Sequence, residues 1–205
     1  MLFVFSKLKL RKWKKLAPDK RFLVFVAIEK KISKWLGLKK PIKLEIKLDG
    51  DNWNCYGAFT TSSAGQKIVI NENLLHEQRL RFHALETLAH ETRHAYQYSI
   101  IDRDLKWYEF TAKKWKRNWF GYVSSSTDNL MYNNQSVERD AQKYSLKILK
   151  QYKGKYGSEK DYKDTYAAVL YRYEQADIQA RKEYGLFYKQ KIERKIKKNS
   201  KKQGY

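Results

Sequence analysis

Cys55 is the chain's one cysteine, so no internal disulfide can form and a reducing compartment is expected. Proline is almost as scarce: Pro18 and Pro41 are the only two in 205 residues, which leaves everything after them free of the strongest helix breaker. No apolar run approaches bilayer length, the longest being residues 22–28, so a transmembrane helix is not expected. The opening MLFVFSKLKLRKWKK places its apolar residues before its charges, the reverse of a secretory signal. The expectation is a soluble, cytoplasmic protein, with membrane insertion not expected and surface attachment through the basic start still allowed.

Acidic side chains are also in deficit, 22 against 44 basic ones, for a formal charge of +22. A field of that sign attracts DNA, RNA or acidic surfaces and says nothing about fold. Much of it lies in SKLKLRKWKKLAPDK at the start and KQKIERKIKKNSKKQ at the end, both expected to be solvated tails. Packing groups are abundant: 42% of residues are hydrophobic and 15% aromatic, too many for a disordered chain and enough for one domain with a real core. The expected division is a basic segment over 1–18, a core over 19–152, and a helical extension with a basic tail over 153–205.

Phe22, Val26, Ile32, Trp35 and Leu36 recur at helical spacing between Pro18 and Gly37, predicting a helix over 19–37. Ile42, Leu44, Ile46 and Leu48 then alternate with Lys43, Glu45 and Lys47, the mark of a strand. WNCYGAFT (53–60) and QKIVIN (66–71), separated by TSSAG, complete an expected three-stranded antiparallel sheet. No proline or glycine interrupts 74–101, which reads as one long helix. Further helices are expected from Gln135 or Ser136 and from Ser158 to Tyr184, the latter opened by a capping box of Ser158 and Asp161. The intervening DLKWYEFTAKKWKRNWFGYV reads either as an amphipathic helix packing its aromatics on the core or as a lid or docking surface. The fold class is α+β.

Histidine is scarce as well, with four in the chain, yet two of them fall in AHETRHAYQ (89–97). On a helix, residues four apart share a face, so His90 and His94 can converge on one ion, and Glu91 is placed to take a proton from water beside it. A catalytic zinc needs a third protein ligand, and the strongest candidate is Glu138, near a helix start and beside the small Ala141. Asp140 is expected to hydrogen-bond a ligating histidine, and Glu86, one turn before His90, to support the same residue. His83 lies about 10 Å along the axis from His90 and is excluded as a ligand, as is His76.

The HExxH segment, the strands CYGAFT and IVIN, and the Glu138-containing stretch from Tyr132 to Ala141 together resemble the zincin metallopeptidases. Within them the chain is similar to gluzincin-type proteins, especially the minigluzincins and the ImmA/IrrE-type intracellular peptidases. The resemblance covers roughly 20–150 and rests chiefly on HExxH. It implies Zn2+ held by His90, His94 and Glu138, and Glu91 as general base and acid. It also implies an edge strand whose backbone at Gly57 and Ala58 takes a peptide substrate as an added strand, and Tyr132 as an oxyanion donor. SprT-like proteases complete their site with a later histidine, and none follows His94.

Three functions compete on sequence alone. A zinc endopeptidase acting on an intracellular protein is the first. A nucleic-acid-binding protein with an inactive or structural HExxH is the second, and a hydrolase of a non-peptide amide is the third. The richness in Lys, Asn, Ile and Tyr suits an AT-rich microbial or mobile-element genome.

Overall fold

Pro18 at the first helical position and Asp19 in the first turn start helix α3 (Pro18–Trp35). Gly37 stops it by adopting φ 71°, while Gly37 N–H and Leu38 N–H donate to the carbonyls of Lys34 and Ser33 in a left-handed cap. The chain is described here by a computed structural model, over residues 3–48, 55–63, 65–102, 109–122 and 129–202. Two short helices, α1 (Phe3–Ser6) and α2 (Leu10–Trp13), precede α3. Strands β1 (Lys43–Lys47), β2 (Gly57–Ser62) and β3 (Gly65–Asn71) follow, then helices α4 (Asn73–His76), α5 (Arg81–Asp102), α6 (Glu109–Phe120), α7 (Asn129–Asn134), α8 (Ser136–Tyr156) and α9 (Lys160–Lys202).

The sheet is mixed, not antiparallel. Its order is β1-β3-β2, with β1 parallel to β3 and β2 antiparallel to β3. The hairpin joins β2 to β3, as TSSAG suggests, but the connection from β1 carries the chain past β3 to the far edge. Hydrophobic alternation is the same in both pairing directions, so it could not have distinguished them. WNCYGAFT contributes from Gly57 onward, and Trp53 and Asn54 lie outside the described residues.

The helix expected over 74–101 is broken. Glu77 takes an extended conformation (φ −81°, ψ 117°) between α4 and a short 3-10 turn over Gln78–Leu80, and α5 begins at Arg81. Arg21 makes the break tolerable: its Nη1 donates to the carbonyls of Leu75 (2.6 Å) and His76 (3.1 Å), which the interrupted helix leaves without partners.

Helix α5 is central, packed against α3, α6, α8, α9 and β2. Phe25, Ile28, Ile32, Leu44, Ile68, Ile70, Leu85, Leu88, Leu149 and Tyr162 form a single buried cluster around it. The N-terminal segment belongs to that cluster and is no solvated tail. Phe5, Leu8 and Trp13 are fully buried while Lys9, Arg11, Lys12, Lys14 and Lys15 stay exposed. The ring of Phe5 stacks on Tyr152, and Tyr156 Oη donates to the Phe5 carbonyl at 2.6 Å.

Helix α8 runs through residue 152 to Tyr156, and α9 adds Tyr162 and Val169 to the same cluster. The capping box expected at Ser158 is replaced by another use of its acid: Asp161 directs both carboxylate oxygens at the buried Arg81, which also pairs with Glu159. Helix α9 extends past the expected end at Tyr184 to Lys202. Among the described residues, no helix is long and apolar enough to cross a membrane.

Candidate metal centre

Three turns of α5 and the first turns of α8 bring His90, His94 and Glu138 together. Glu138 lies 48 residues beyond His90 in sequence, yet its Oε2 is 3.1 Å from His90 Nε2 and its Oε1 is 3.3 Å from His94 Nε2. The two imidazole Nε2 atoms are 3.0 Å apart. Small residues permit this approach: Ala89, Ala95 and Ala141 are all fully buried between the helices. All three potential ligand atoms lie within 4.8 Å of one another, a group that could hold a metal ion. Tetrahedral bonds of about 2.0–2.1 Å would set ligand atoms about 3.3–3.4 Å apart, so the observed triangle is close to the required size.

Hydrogen bonding prepares His94 for this role. Gln97 Nε2 uses its two protons on the Val137 carbonyl (2.9 Å) and Asp140 Oδ2 (2.8 Å), so its Oε1 must be the acceptor that faces His94 Nδ1 at 2.8 Å. With Nδ1 protonated, neutral His94 presents its Nε2 lone pair to the triad. The expectation that Asp140 bonds a histidine is therefore corrected. Asp140 is one step removed, bound to Gln97 and, through both oxygens, to Arg93 at 2.7 and 3.1 Å. A carboxylate on α8 is too short to reach past the Gln97 amide. Gln97 escaped the sequence reading, although its position three residues after His94 puts it on the same helix face. Glu86 also differs from expectation: its Oε1 accepts from Arg172 Nη2 of α9 at 3.3 Å.

Burial disfavours a charged His94, but the Glu138 carboxylate, its hydrogen bond and Glu91 outweigh burial and push the pKa up to about 9. Burial likewise opposes ionisation of Glu138, and His94 and His90 overcome it to hold the carboxyl well below the usual range. Two buried carboxylates face two imidazoles, an arrangement that calls for positive charge at its centre.

Glu91 stands beside the triad and, with His94, lines an open cleft. Its Oε2 accepts from Phe59 N–H of β2 at 2.8 Å. Burial raises its pKa, reinforced by Glu138 and opposed by the histidines and the Phe59 bond. Strand β2 is an edge of the sheet, and Asn71 N–H donates to the Tyr56 carbonyl at 3.0 Å. By antiparallel alternation Ala58 then pairs with Val69, while the peptide groups of Gly57 and Phe59 face outward. Of the two expected docking positions, Gly57 faces the cleft through its backbone and Ala58 faces β3. Gly57 has no room for a side chain, because a Cβ there would meet Thr87 Cγ2 of α5 at 2.4 Å.

The cleft holds about 490 Å3 and is lined by Gly57, Phe59, Glu91, His94, Trp119, Tyr122 and Tyr132 among others. Tyr122 Oη donates to Glu138 Oε1 at 2.8 Å, and its ring meets Tyr132 edge-on at 5.9 Å. Burial and Glu138 raise both phenol pKa values, so both remain hydrogen-bond donors. The Trp-rich block divides between the two roles considered for it. Trp115 is buried with Ile100 and Val137, whereas Trp119 stands edge-on to His94 and Phe59 at 6.1 Å and forms a wall of the cleft. His83 is elsewhere, its ring 5.3 Å from that of Tyr56, and His76 is 4.0 Å from Glu72.

No protein-family model, curated protein or solved structure matches this chain.

Proposed function

We propose that the protein is a zinc-dependent peptidase of gluzincin type, with His90, His94 and Glu138 as ligands and Glu91 as general base. The observation that carries this reading is the convergence of two imidazoles and a carboxylate, from helices far apart in sequence, directly beside a carboxylate in an open cleft. That donor set suits zinc, and it matches the His2Glu combination that leaves a fourth position open. Zinc bound there would supply a Lewis acid that polarises a carbonyl and acidifies water.

The chain's own residues supply the rest. Glu91, its pKa raised by burial, accepts a proton at its carboxylate and later returns it to the leaving amine. Phe59 N–H fixes the carboxylate's orientation. The outward peptide groups of Gly57 and the carbonyl of Phe59, whose N–H is held by Glu91, would add an extended substrate to β2 as a further strand. Tyr132, kept protonated, serves as a donor toward developing negative charge, while the single proton of Tyr122 is held by Glu138. Trp119 and Phe59 keep water from one side of the cleft. The lone Cys55 fits a protein substrate inside a cell.

The test is elemental analysis combined with a base-deletion variant. Purified protein is expected to bind one zinc per chain, and Glu91→Gln to retain the zinc while losing peptide hydrolysis. Full activity in Glu91→Gln, or no zinc uptake by wild type, would refute the reading.

A second reading, recruitment to DNA or RNA, draws on α6, where Lys116 and Arg117 are exposed beside an exposed Phe120 (78%). Binding that weakens steeply between 50 and 200 mM salt supports it, and no binding at low salt removes it.

A further inference from the structure

Past Glu91, toward Tyr56, the cleft continues as a second recess of about 280 Å3. Cys55, Gly57, Glu91 and Tyr132 line both parts, so they are successive stretches of one groove along β2. Their chemistry differs. Phe59, Trp119 and Tyr122 wall the first part, whereas Glu86, Asn133, Gln142 and Arg172 wall the second.

Two of these polar groups are incompletely engaged. Gln142 is 3% exposed, and its Nε2 donates to Asn133 Oδ1 at 2.7 Å, but its buried Oε1 has no hydrogen-bond partner among the described residues. Buried amide oxygens are almost always paired, and an exception lining a cleft marks a place where a donor is supplied from outside. Arg172 is half-exposed and touches Glu86 through Nη2 alone, at 3.3 Å. A guanidinium carries five N–H donors, so one long contact leaves most of its capacity for another acceptor.

We propose that this recess is a specificity subsite that takes the carboxamide of a substrate asparagine or glutamine. The substrate NH2 donates to Gln142 Oε1, and its carbonyl accepts from Arg172. The alternatives fit worse. A carboxylate has no proton for Gln142 and is repelled by Glu86; an ammonium is repelled by Arg172; an apolar side chain leaves Gln142 unpaired. The inference rests on the peptidase reading. It also gives the elements after the HExxH helix a function, since Asn133, Gln142 and Arg172 come from α7, α8 and α9.

The experiment is cleavage of a peptide library, varied on both sides of the scissile bond, by the zinc-loaded full-length protein. Wild type is expected to favour Asn or Gln at one flanking position by more than about tenfold over Leu, Asp and Lys. Gln142→Leu is expected to erase that preference. Arg172→Met is expected to weaken it, with a cooperative thermal melt checking that the variant stays folded without the Glu86 pair. Binding of a labelled glutamine peptide to Glu91→Gln, followed by fluorescence anisotropy, should exceed that of its leucine analogue and lose the difference when Gln142→Leu is added. Cleavage with no such preference, or with a preference that survives both substitutions, overturns the subsite and leaves the peptidase standing. A zinc-loaded wild type that cleaves no peptide overturns the peptidase reading, and the subsite with it.

Discussion

Gln97 Oε1 accepts the Nδ1 proton of His94 at 2.8 Å, and because both protons of the same amide are held by Val137 and Asp140, the glutamine cannot turn over. The tautomer of His94 is thus set by α8 through α5. Gln97→Leu should weaken metal affinity about 10- to 100-fold without removing any ligand, as outer partners of metal-bound histidines do. Competition titration against a chelator of known affinity measures this. Unchanged affinity would mean that Gln97 does not orient the ring.

Metal uptake should depend on pH in a definite direction. In the metal-free protein the pKa of His94 is raised to about 9, so below that pH an ion must displace a proton. Affinity is expected to rise by up to tenfold per pH unit as pH increases from about 6.5 to 9. Stability of the metal-free protein moves oppositely. A histidine with a raised folded-state pKa contributes fully below its unfolded value of about 6.5, and that contribution is lost as pH rises through about 9. Thermal melts with and without zinc across this range should therefore diverge as pH increases.

Glu138→Ala leaves His90 and His94 without the carboxylate that lies 3.1 and 3.3 Å from them. Bound zinc is expected to fall well below one per chain. At a zinc concentration about 100 times the wild-type Kd, the stabilisation of about 2.7 kcal/mol expected for wild type should be absent from the variant. Differential scanning calorimetry with and without the ion reads both.

Gly57→Ala should destabilise the protein by about 1–3 kcal/mol, because the added Cβ meets Thr87 Cγ2 at 2.4 Å. Thr87→Ser removes that methyl and keeps the hydroxyl, so the double variant is expected to recover most of the loss in urea unfolding. Additive effects would show that the clash is not the cause.

The sequence made some of this legible and hid the rest, for physical reasons. The four-residue spacing of His90 and His94 requires only a helix, and Glu138 beside Ala141 requires only that a second helix come close, so their convergence could be anticipated. Pairing direction could not, since β1 alternates identically whether it lies parallel or antiparallel to β3. The break at Glu77 carries no glycine or proline; it is held by Arg21, 54 residues from the carbonyl of Leu75. Asp140 reaches His94 only through Gln97, which bonds both, and nothing in its sequence position announces that intermediary. Lysines around Phe5, Leu8 and Trp13 made the first segment look solvated, although these three rings and branches lie in the core.

Arg81 has a bearing on how the chain reaches this fold. Its guanidinium, almost wholly buried, bonds the Leu8 carbonyl at 2.9 Å and pairs with Glu159 and Asp161. A buried cation without its carboxylates is strongly unfavourable, so during synthesis Arg81 must stay hydrated until residue 161 has emerged. The N-terminal end of the helix that carries His90 and His94 therefore closes late, after the chain has brought together segments 73 and 80 residues away on either side. The same guanidinium ties the first segment and the start of α9 to the helix that carries the metal-binding histidines, so losing its carboxylates should loosen all three together.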